Sequence, residues 1–396
     1  MSIPETEVIT SAVARVFRIE DITSEDPQKG MLVRYRGEFY NEDTAGAYDQ
    51  LSEALKSYEL TPVFRKLNDK PVIYIAPGRP KPRPTRISTN IILFVITVFS
   101  VMLTGATMAD IPVESLPSDI AGQILFFITN IFKGWPFAAS LLGILLAHEF
   151  GHYLMSRYHK TPATLPYFIP FPFSPLGTMG AFISMQAIPR NKRILFDIGV
   201  AGPLAGMVVA IPVLLYGLSL STLGTIEPNP AGFLEGNSLL YLLAKFAVFG
   251  RLLPAPVHQE GLLYWIQYFF TGRPVPFGGM DVFIHPIAFA GWAGILVTAL
   301  NLLPAGTLDG GHVIYSLFGE KARKIFPYIL VALAVLGIFW TGWWLWAVLL
   351  LWLGRVNAEP LDQITTLDLP RRMVALLTLI LFVLVFSPVP FMPLGV

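Results

Sequence analysis

The pattern of apolar and polar positions divides the chain near residue 88. Before that point it alternates. Val13-Ala-Arg-Val-Phe-Arg-Ile-Glu20 and Met31-Leu-Val-Arg-Tyr-Arg-Gly-Glu-Phe-Tyr40 read as strands, because a period of two sends successive side chains to opposite faces. Thr44 to Leu60 predicts an amphipathic helix with Tyr48, Leu51, Leu55 and Tyr58 on one face. Val63 to Ile75 predicts a hairpin turning at Asn68-Asp69. Beyond residue 88 the pattern changes to long apolar runs: Ile91–Met108, Trp135–Tyr158, Ile194–Leu218, His285–Pro304 and Met373–Phe386. Most approach the ~20 residues a helix needs to cross a bilayer. Ile325–Leu353 is too long for one crossing, and Thr341-Gly342 interrupts it, which predicts two short spans. Gly199, Gly202 and Gly206 mark close helix packing in the third run. Pro162 to Pro189 is apolar but broken by prolines, and ends in the strand-like Ala181-Phe-Ile-Ser-Met-Gln-Ala-Ile188. Non-helical backbone at membrane depth must be shielded or line a cavity, so this stretch predicts a re-entrant hairpin. The expected fold is a polytopic α-helical membrane protein of about seven spans with a re-entrant β-hairpin, preceded by a small soluble α+β domain. The soluble domain is expected over 1–76, a Pro-rich basic linker over 77–88 and the transmembrane domain over 89–396.

Composition agrees. Of 396 residues 54% are hydrophobic and only 14% charged, against about 25% charged in soluble domains. Nearly half of the charged side chains lie in residues 1–86. The net charge of +1 gives no footing for a nucleic-acid partner, and the absence of cysteine excludes disulfides, thiolate-held zinc and iron–sulfur clusters. No apolar signal segment precedes residue 88, so the first span is expected to serve as an uncleaved anchor. Arg79 to Arg86, Arg157 with Lys160, Arg190 to Arg193, Lys321 to Lys324, and Arg355 with Arg371-Arg372 fall on one side if 325–353 is a hairpin. That side, with the N-terminal domain, is expected to be cytoplasmic, and loops 109–134 and 219–284 to lie outside.

The candidate chemistry is His148-Glu149-Phe150-Gly151-His152, which ends an apolar run. Residues i and i+4 share a helix face, so His148 and His152 can offer two imidazoles to one zinc ion, while Glu149, rotated by about 100°, reaches a water beside it. Such groups at membrane depth are costly unless compensated. A third ligand is needed. Position 158 is Tyr, and no Asp or Glu occurs between Glu149 and Asp197, so that ligand is remote. Asp197, Asp309 and His312 are candidates at membrane depth; Glu227, Glu235, His258, Glu260 and Asp281 lie in the outer loop. Asp309 is best placed, at the inner end of the fourth span, where Pro304 and Gly306 break the helix and Gly310-Gly311 permit close approach. Asp197 reads as structural, facing Arg193 or a backbone donor. His312 reads as a substitute ligand or a group behind the ligands; His159, His258 and His285 read as ordinary loop or interface histidines.

These residues, with Gly177-Thr-Met-Gly-Ala181, Asp197-Ile-Gly-Val-Ala-Gly-Pro-Leu-Ala-Gly206, Asn301-Leu-Leu-Pro304 and Leu308-Asp-Gly-Gly311, resemble the site-2 protease family of intramembrane metalloproteases over about residues 88–390. His285-Pro-Ile-Ala-Phe-Ala-Gly-Trp-Ala-Gly294 looks most similar to the plastid branch defective in ethylene-dependent gravitropism and greening, and to its prokaryotic relatives. The resemblance implies that His148, His152 and Asp309 bind Zn2+, that Glu149 is the catalytic base, and that the substrate is a transmembrane protein cut within the lipid bilayer. It also suggests a prokaryotic cell membrane as the location. The strand at 178–188, with Ile183 and Ser184, is expected to hold an unwound substrate segment by strand addition. Asn301 is expected to hydrogen-bond the substrate or the oxyanion, or else to cap the broken helix. Two other classes compete. A zinc or cation transporter would need further intramembrane carboxylates and repeat symmetry, which the sequence lacks. A catalytically silent scaffold that binds membrane helices is at odds with an intact Glu149. For the N-terminal domain, gating, binding of a regulator and a passive appendage all stand as readings.

Overall fold

The computed structural model describes residues 6–26, 30–79, 85–109, 116–227, 232–258, 260–353 and 359–394. Part of the predicted linker (80–84) and Arg355 lie outside the described residues.

The N-terminal region is a four-stranded antiparallel sheet with two helices. Helix α1 (Thr6–Ala14) leads into β1 (Phe17–Asp26) and β2 (Met31–Phe39). Helix α2 (Thr44–Ala54) follows, then β3 (Leu60–Leu67) and β4 (Lys70–Pro77), in the order β1-β2-β4-β3. The predicted strand over 13–20 is corrected. Ile9 and Val13, four apart, are both buried on a helix face, and the strand begins only at Phe17. The predicted helix over 44–60 ends at Ala54, and Leu60 already pairs in β3. The β3–β4 turn is at Asn68-Asp69, as expected, with φ of 50° and 61°, the left-handed pair that a two-residue hairpin requires.

Three helices are long and apolar enough to cross a membrane: α3 (Ile87–Thr107), the run Ile131–Tyr158 that contains α5 (Trp135–Tyr158), and α6 (Lys192–Ser219). Between the first two lies α4 (Ile120–Thr129). The segment between α6 and the next long apolar helix carries β7 (Thr222–Thr225), β8 (Gly232–Glu235), α7 (Leu239–Phe249), α8 (Leu262–Thr271) and β9 (Met280–Phe283). It leads into α9 (Pro286–Asn301) and, after a tight turn, α10 (Asp309–Phe318). The stretch expected to fold back on itself does so as α11 (Phe326–Leu336) and α12 (Gly342–Leu353), and α13 (Leu369–Val385) and β10 (Phe391–Leu394) close the described chain. Each predicted span coincides with a helix. Helices α4, α7, α8 and α10 were not expected. Packing of α5 against α6 and α9 forms the centre of the membrane part.

The hairpin lies within the predicted stretch 162–189, but its second strand is shorter than expected. Strands β5 (Tyr167–Pro170) and β6 (Thr178–Phe182) pair antiparallel, so regular structure stops at Phe182 instead of running through Ile188. Pairing resumes further on, with Thr164 N–H donating to the Ser184 carbonyl (3.0 Å) and Gln186 N–H to the Pro162 carbonyl (2.8 Å). The pairing is interrupted at Ile183, whose amide lies toward Glu149. Helix α3 holds the hairpin in place. Asn90 Nδ2 donates to the carbonyls of Leu165 (2.9 Å) and Pro166 (3.0 Å), and Ser100 Oγ to that of Gly177 (2.6 Å).

Residues 359–365 join the two halves. Phe64 N–H donates to the Leu361 carbonyl (2.9 Å) and Gln363 N–H to that of Phe64 (3.1 Å), while Leu361 and Asp362 N–H reach the carbonyls of Pro189 (3.0 Å) and Arg190 (2.7 Å). The segment is therefore shared between the edge of β3 and the start of α6. Asp362 is fully buried, and burial raises its carboxyl above the usual range although Thr365 and Ile364 donate to it.

Candidate metal and catalytic site

Helix α5 presents His148 and His152 one turn apart on a buried face, toward α6. The small residues of α6 make room for them. A Cβ at Gly202 would stand 2.1 Å from His152 Nε2, and one at Gly206 would stand 3.2 Å from His148 Cβ. The glycines expected to mark close packing thus accommodate the two histidines. Asp309 completes the group as the first residue of α10, which also packs against α6. The turn after α9 folds α10 back so tightly that a Cβ at Gly310 would lie 2.0 Å from the Leu302 carbonyl oxygen.

The three ligand atoms form a nearly equilateral triangle. His148 Nε2 and His152 Nε2 are 3.2 Å apart, and Asp309 Oδ2 is 3.3 Å from each. A tetrahedral ion with bonds of ~2.0 Å sets its ligand atoms ~3.3 Å apart, so this triangle matches three corners of a zinc site. The donor chemistry fits as well. His152 Nδ1 lies 2.7 Å from the Ile198 carbonyl, which fixes the proton on Nδ1 and leaves the Nε2 lone pair facing the carboxylate. Two acceptors turned toward each other need a cation between them. Among the described residues, His148, His152 and Asp309 are the one group of His, Asp and Glu side chains that converges closely enough to hold a metal ion.

Glu149 is buried beside the triangle, and its carboxylate is hydrogen-bonded by the Ile183 amide. Both face a cavity of about 520 Å³ whose wall includes Ser184, Asn301, Asp309 and His312. Asn301 Nδ2 lies 3.3 Å from His148 Nε2. The structure thus gathers His148, Glu149, His152, Asp309, Asn301, Ile183 and Ser184 around one space. The Ser184 amide donates to Thr164 Oγ1 (3.0 Å), so neither it nor the Ile183 amide is a free edge donor.

Asp197 is elsewhere. It accepts two bonds from Arg371 (2.8 and 2.7 Å) and lies 2.8 Å from His159 Nε2. The expected Arg193 partner is corrected: Arg193 donates instead to the Thr366 carbonyl. His159 therefore holds an interface, and His285 caps α9 by accepting from the Ile287 amide (3.2 Å). His312 lines the cavity but stands outside the triangle.

An apolar three-helix centre enclosing a His-His-Asp triangle and an adjacent glutamate is the arrangement of a membrane-embedded metallopeptidase. The model of peptidase family M50 matches residues 136–339, just over half of the chain, and the chain belongs to that family. It is similar to the probable zinc metalloprotease EGY1, chloroplastic, of Oryza sativa subsp. japonica, at 31% identity over 76% of this chain and 50% of that protein. The protein of the same name from Arabidopsis thaliana is 29% identical over 76% of this chain and 54% of its own length. The probable zinc metalloprotease EGY2, chloroplastic, of Oryza sativa subsp. indica is 26% identical over 93% of this chain and 64% of its own. The chain spans about half the length of the first two. Family and apolar helices together make it an integral membrane protein. The expected prokaryotic cell membrane has no support from relatives named as chloroplastic.

Proposed function

We propose that the chain is a zinc-dependent intramembrane endopeptidase that hydrolyses a peptide bond of a membrane-spanning substrate protein. The observation that carries this reading is the 3.2–3.3 Å triangle of His148, His152 and Asp309 with Glu149 at its side. Bound there, zinc would supply a Lewis acid that polarises the scissile carbonyl and makes water acidic enough to deprotonate near neutral pH. Glu149 takes a proton from the attacking water and passes it to the departing amine nitrogen. The Ile183 amide aims the carboxylate at that task. Asn301, beside His148, is placed to donate to the substrate carbonyl oxygen.

The substrate helix must unwind locally, since its carbonyls are otherwise bonded within the helix. The segment from β6 to Ser184 lines the cavity and is the surface on which an extended segment would lie. The seven-span arrangement, the re-entrant position of the β5–β6 hairpin and a cytoplasmic N-terminal domain over 1–76 belong to the same proposal. They are supported by the one-sided Lys and Arg clusters and by the α11–α12 fold-back. A transporter would need successive metal sites along a path, and the described residues hold a single converging group.

Two experiments test the reading. Purified protein in vesicles should cut a single-span reporter, and a zinc chelator should abolish the cut; cleavage indifferent to chelation contradicts the proposal. A cysteine replacing the exposed Lys160 should be labelled from the side of the N-terminal domain, and one replacing Arg251 only from the other; the natural chain has no cysteine to interfere.

A further inference from the structure

The segment that lines the catalytic cavity runs on into a second one. Ser184 and Met185 border the first. Ala187 and Ile188 border a cavity of about 530 Å³ between α2, the end of α5 and Arg79 after β4, where the N-terminal sheet meets the membrane part. Around Met185 the chain pairs along one edge only. The Thr164 amide donates to the Ser184 carbonyl and the Gln186 amide to the Pro162 carbonyl. In that antiparallel bridge Met185 stands opposite Ala163 without bonding to it, so its own amide and carbonyl point to the other edge. Neither has a hydrogen-bond partner among the described residues. Two residues earlier the Ile183 amide lies toward Glu149. An unpaired edge therefore leads from the base toward the second cavity.

The charges around that cavity are unbalanced. Lys56, Arg79, Lys160 and Arg190 line it, against the two carboxylates Asp49 and Glu53. Lys56 pairs with Glu53 at 2.9 Å and Arg190 with Asp49 at 3.1 Å. Arg79 donates to the carbonyls of Leu60 and Ser52 and has no carboxylate partner among the described residues. The Lys160 ammonium has no partner of any kind among them. Two cations are thus left without a counter-ion. An extended chain leaving Glu149 along the Met185 edge reaches them after about four to five residues, at ~3.3 Å each.

We propose that this cavity receives the flank of the substrate's span on the side of the N-terminal domain, and that Lys160 and Arg79 select acidic residues there. The inference rests on the reading of the chain as a protease. The flank continues the strand laid on the Met185 edge, so its distance from the cut bond is set by the register of that edge. On the cytoplasmic side proposed above, such flanks ordinarily carry Lys or Arg. The two cations repel those, so an acidic flank sets a substrate apart from most other spans.

The test uses the full-length protein in dodecyl maltoside with single-span reporters. They carry Asp-Asp, Ala-Ala or Lys-Lys about four to five residues from the mapped cut bond, on the side of the N-terminal domain. The wild type should cut the acidic reporter with a KM about fivefold below that of the neutral one, the upper end for an ion pair open to solvent, and the basic reporter with a higher KM. Lys160→Glu should reverse the order of the acidic and basic reporters, and Lys160→Gln should narrow it, both with zinc content unchanged. Equal KM for the three reporters in the wild type overturns the proposal and leaves the protease reading standing. So does an order unchanged in both variants. No cleavage of any reporter removes the protease reading and this proposal with it. Flanks without effect, together with dioleoylphosphatidylglycerol retained by the wild type in native mass spectrometry and lost from Lys160→Glu, would assign the cavity to a lipid head and overturn the proposal as well.

Discussion

Gly202 of α6 faces the ring of His152 on α5 so closely that a Cβ would stand 2.1 Å from Nε2. The metal-ligating edge of the histidine is therefore shaped by a missing side chain on its neighbour. Without a methyl group there, α6 can approach α5 until the Ile198 carbonyl reaches His152 Nδ1 at 2.7 Å.

It follows that Gly202→Ala should damage metal binding without touching a ligand. The added carbon must displace the ring or part the helices, and either breaks the triangle. Zinc affinity should fall at least ~10-fold, the scale on which loss of ligand orientation acts. Equilibrium dialysis of wild type and variant reads it; unchanged affinity in a folded variant contradicts the packing argument.

Asp309 and Asp197 should separate cleanly. Asp309→Ala removes one corner of the triangle, so the purified protein should lose most of its zinc. Asp197→Asn breaks the pairing with His159 and Arg371 and should lower the melting temperature while sparing zinc. The metal content of both, measured by plasma emission, decides. Zinc lost from the Asp197 variant and kept in the Asp309 variant would reverse the assignment.

Much of this site was legible in the sequence, and what was missed has physical causes. His148, Glu149 and His152 lie within five residues, so helix geometry alone groups them. The glycines of α6 announced a close approach because nothing else in an apolar span explains them. Asp309 is the best placed of several candidates because Pro304 and Gly306 break the helix before it and Gly310-Gly311 follow it. Other features depend on contacts between distant residues, which no local period records. Asp197 finds Arg371, and Phe64 finds Leu361 and Gln363, over long stretches of chain. The sequence pattern hides the end of helix α1 because Val13 to Glu20 spans a helix end and a strand start, which together mimic an alternation. The second strand of the hairpin is shorter than its sequence pattern because the apolar residues continue to Ile188, whereas regular pairing stops at Phe182.

Ile183→Pro should therefore act on the base rather than on substrate capture. Proline removes the amide that holds Glu149. Cleavage should fall at least ~10-fold with zinc content unchanged, by the loss of a charge-assisted bond worth ~1.5–3 kcal/mol. A variant that loses only affinity for the reporter, with its turnover intact, would leave the amide no role in holding Glu149.

The strap at 359–365 predicts coupling between the N-terminal sheet and the membrane part. Asp362→Ala strands the buried Thr365 amide and leaves the Ile364 amide without its acceptor, at ~1–3 kcal/mol for each buried group left unpaired. Hydrogen exchange should quicken both in 359–365 and along β3. Faster exchange in the strap alone would mean that the sheet edge stands without it. If the domain gates the site, its removal with residues 77–88 retained should alter reporter cleavage; equal cleavage of every substrate would make it an appendage.

In the proposed mechanism Glu149 performs chemistry while His148, His152 and Asp309 hold the metal. Glu149→Gln keeps the shape of the side chain and removes the base. The most direct measurement is reporter cleavage by this variant in vesicles, beside its zinc content. The account predicts a folded protein with about one zinc per chain that cuts at least ~100-fold more slowly than the wild type, the lower end of what a general base contributes. Undiminished cleavage by that variant, in a preparation free of other proteases, would contradict it.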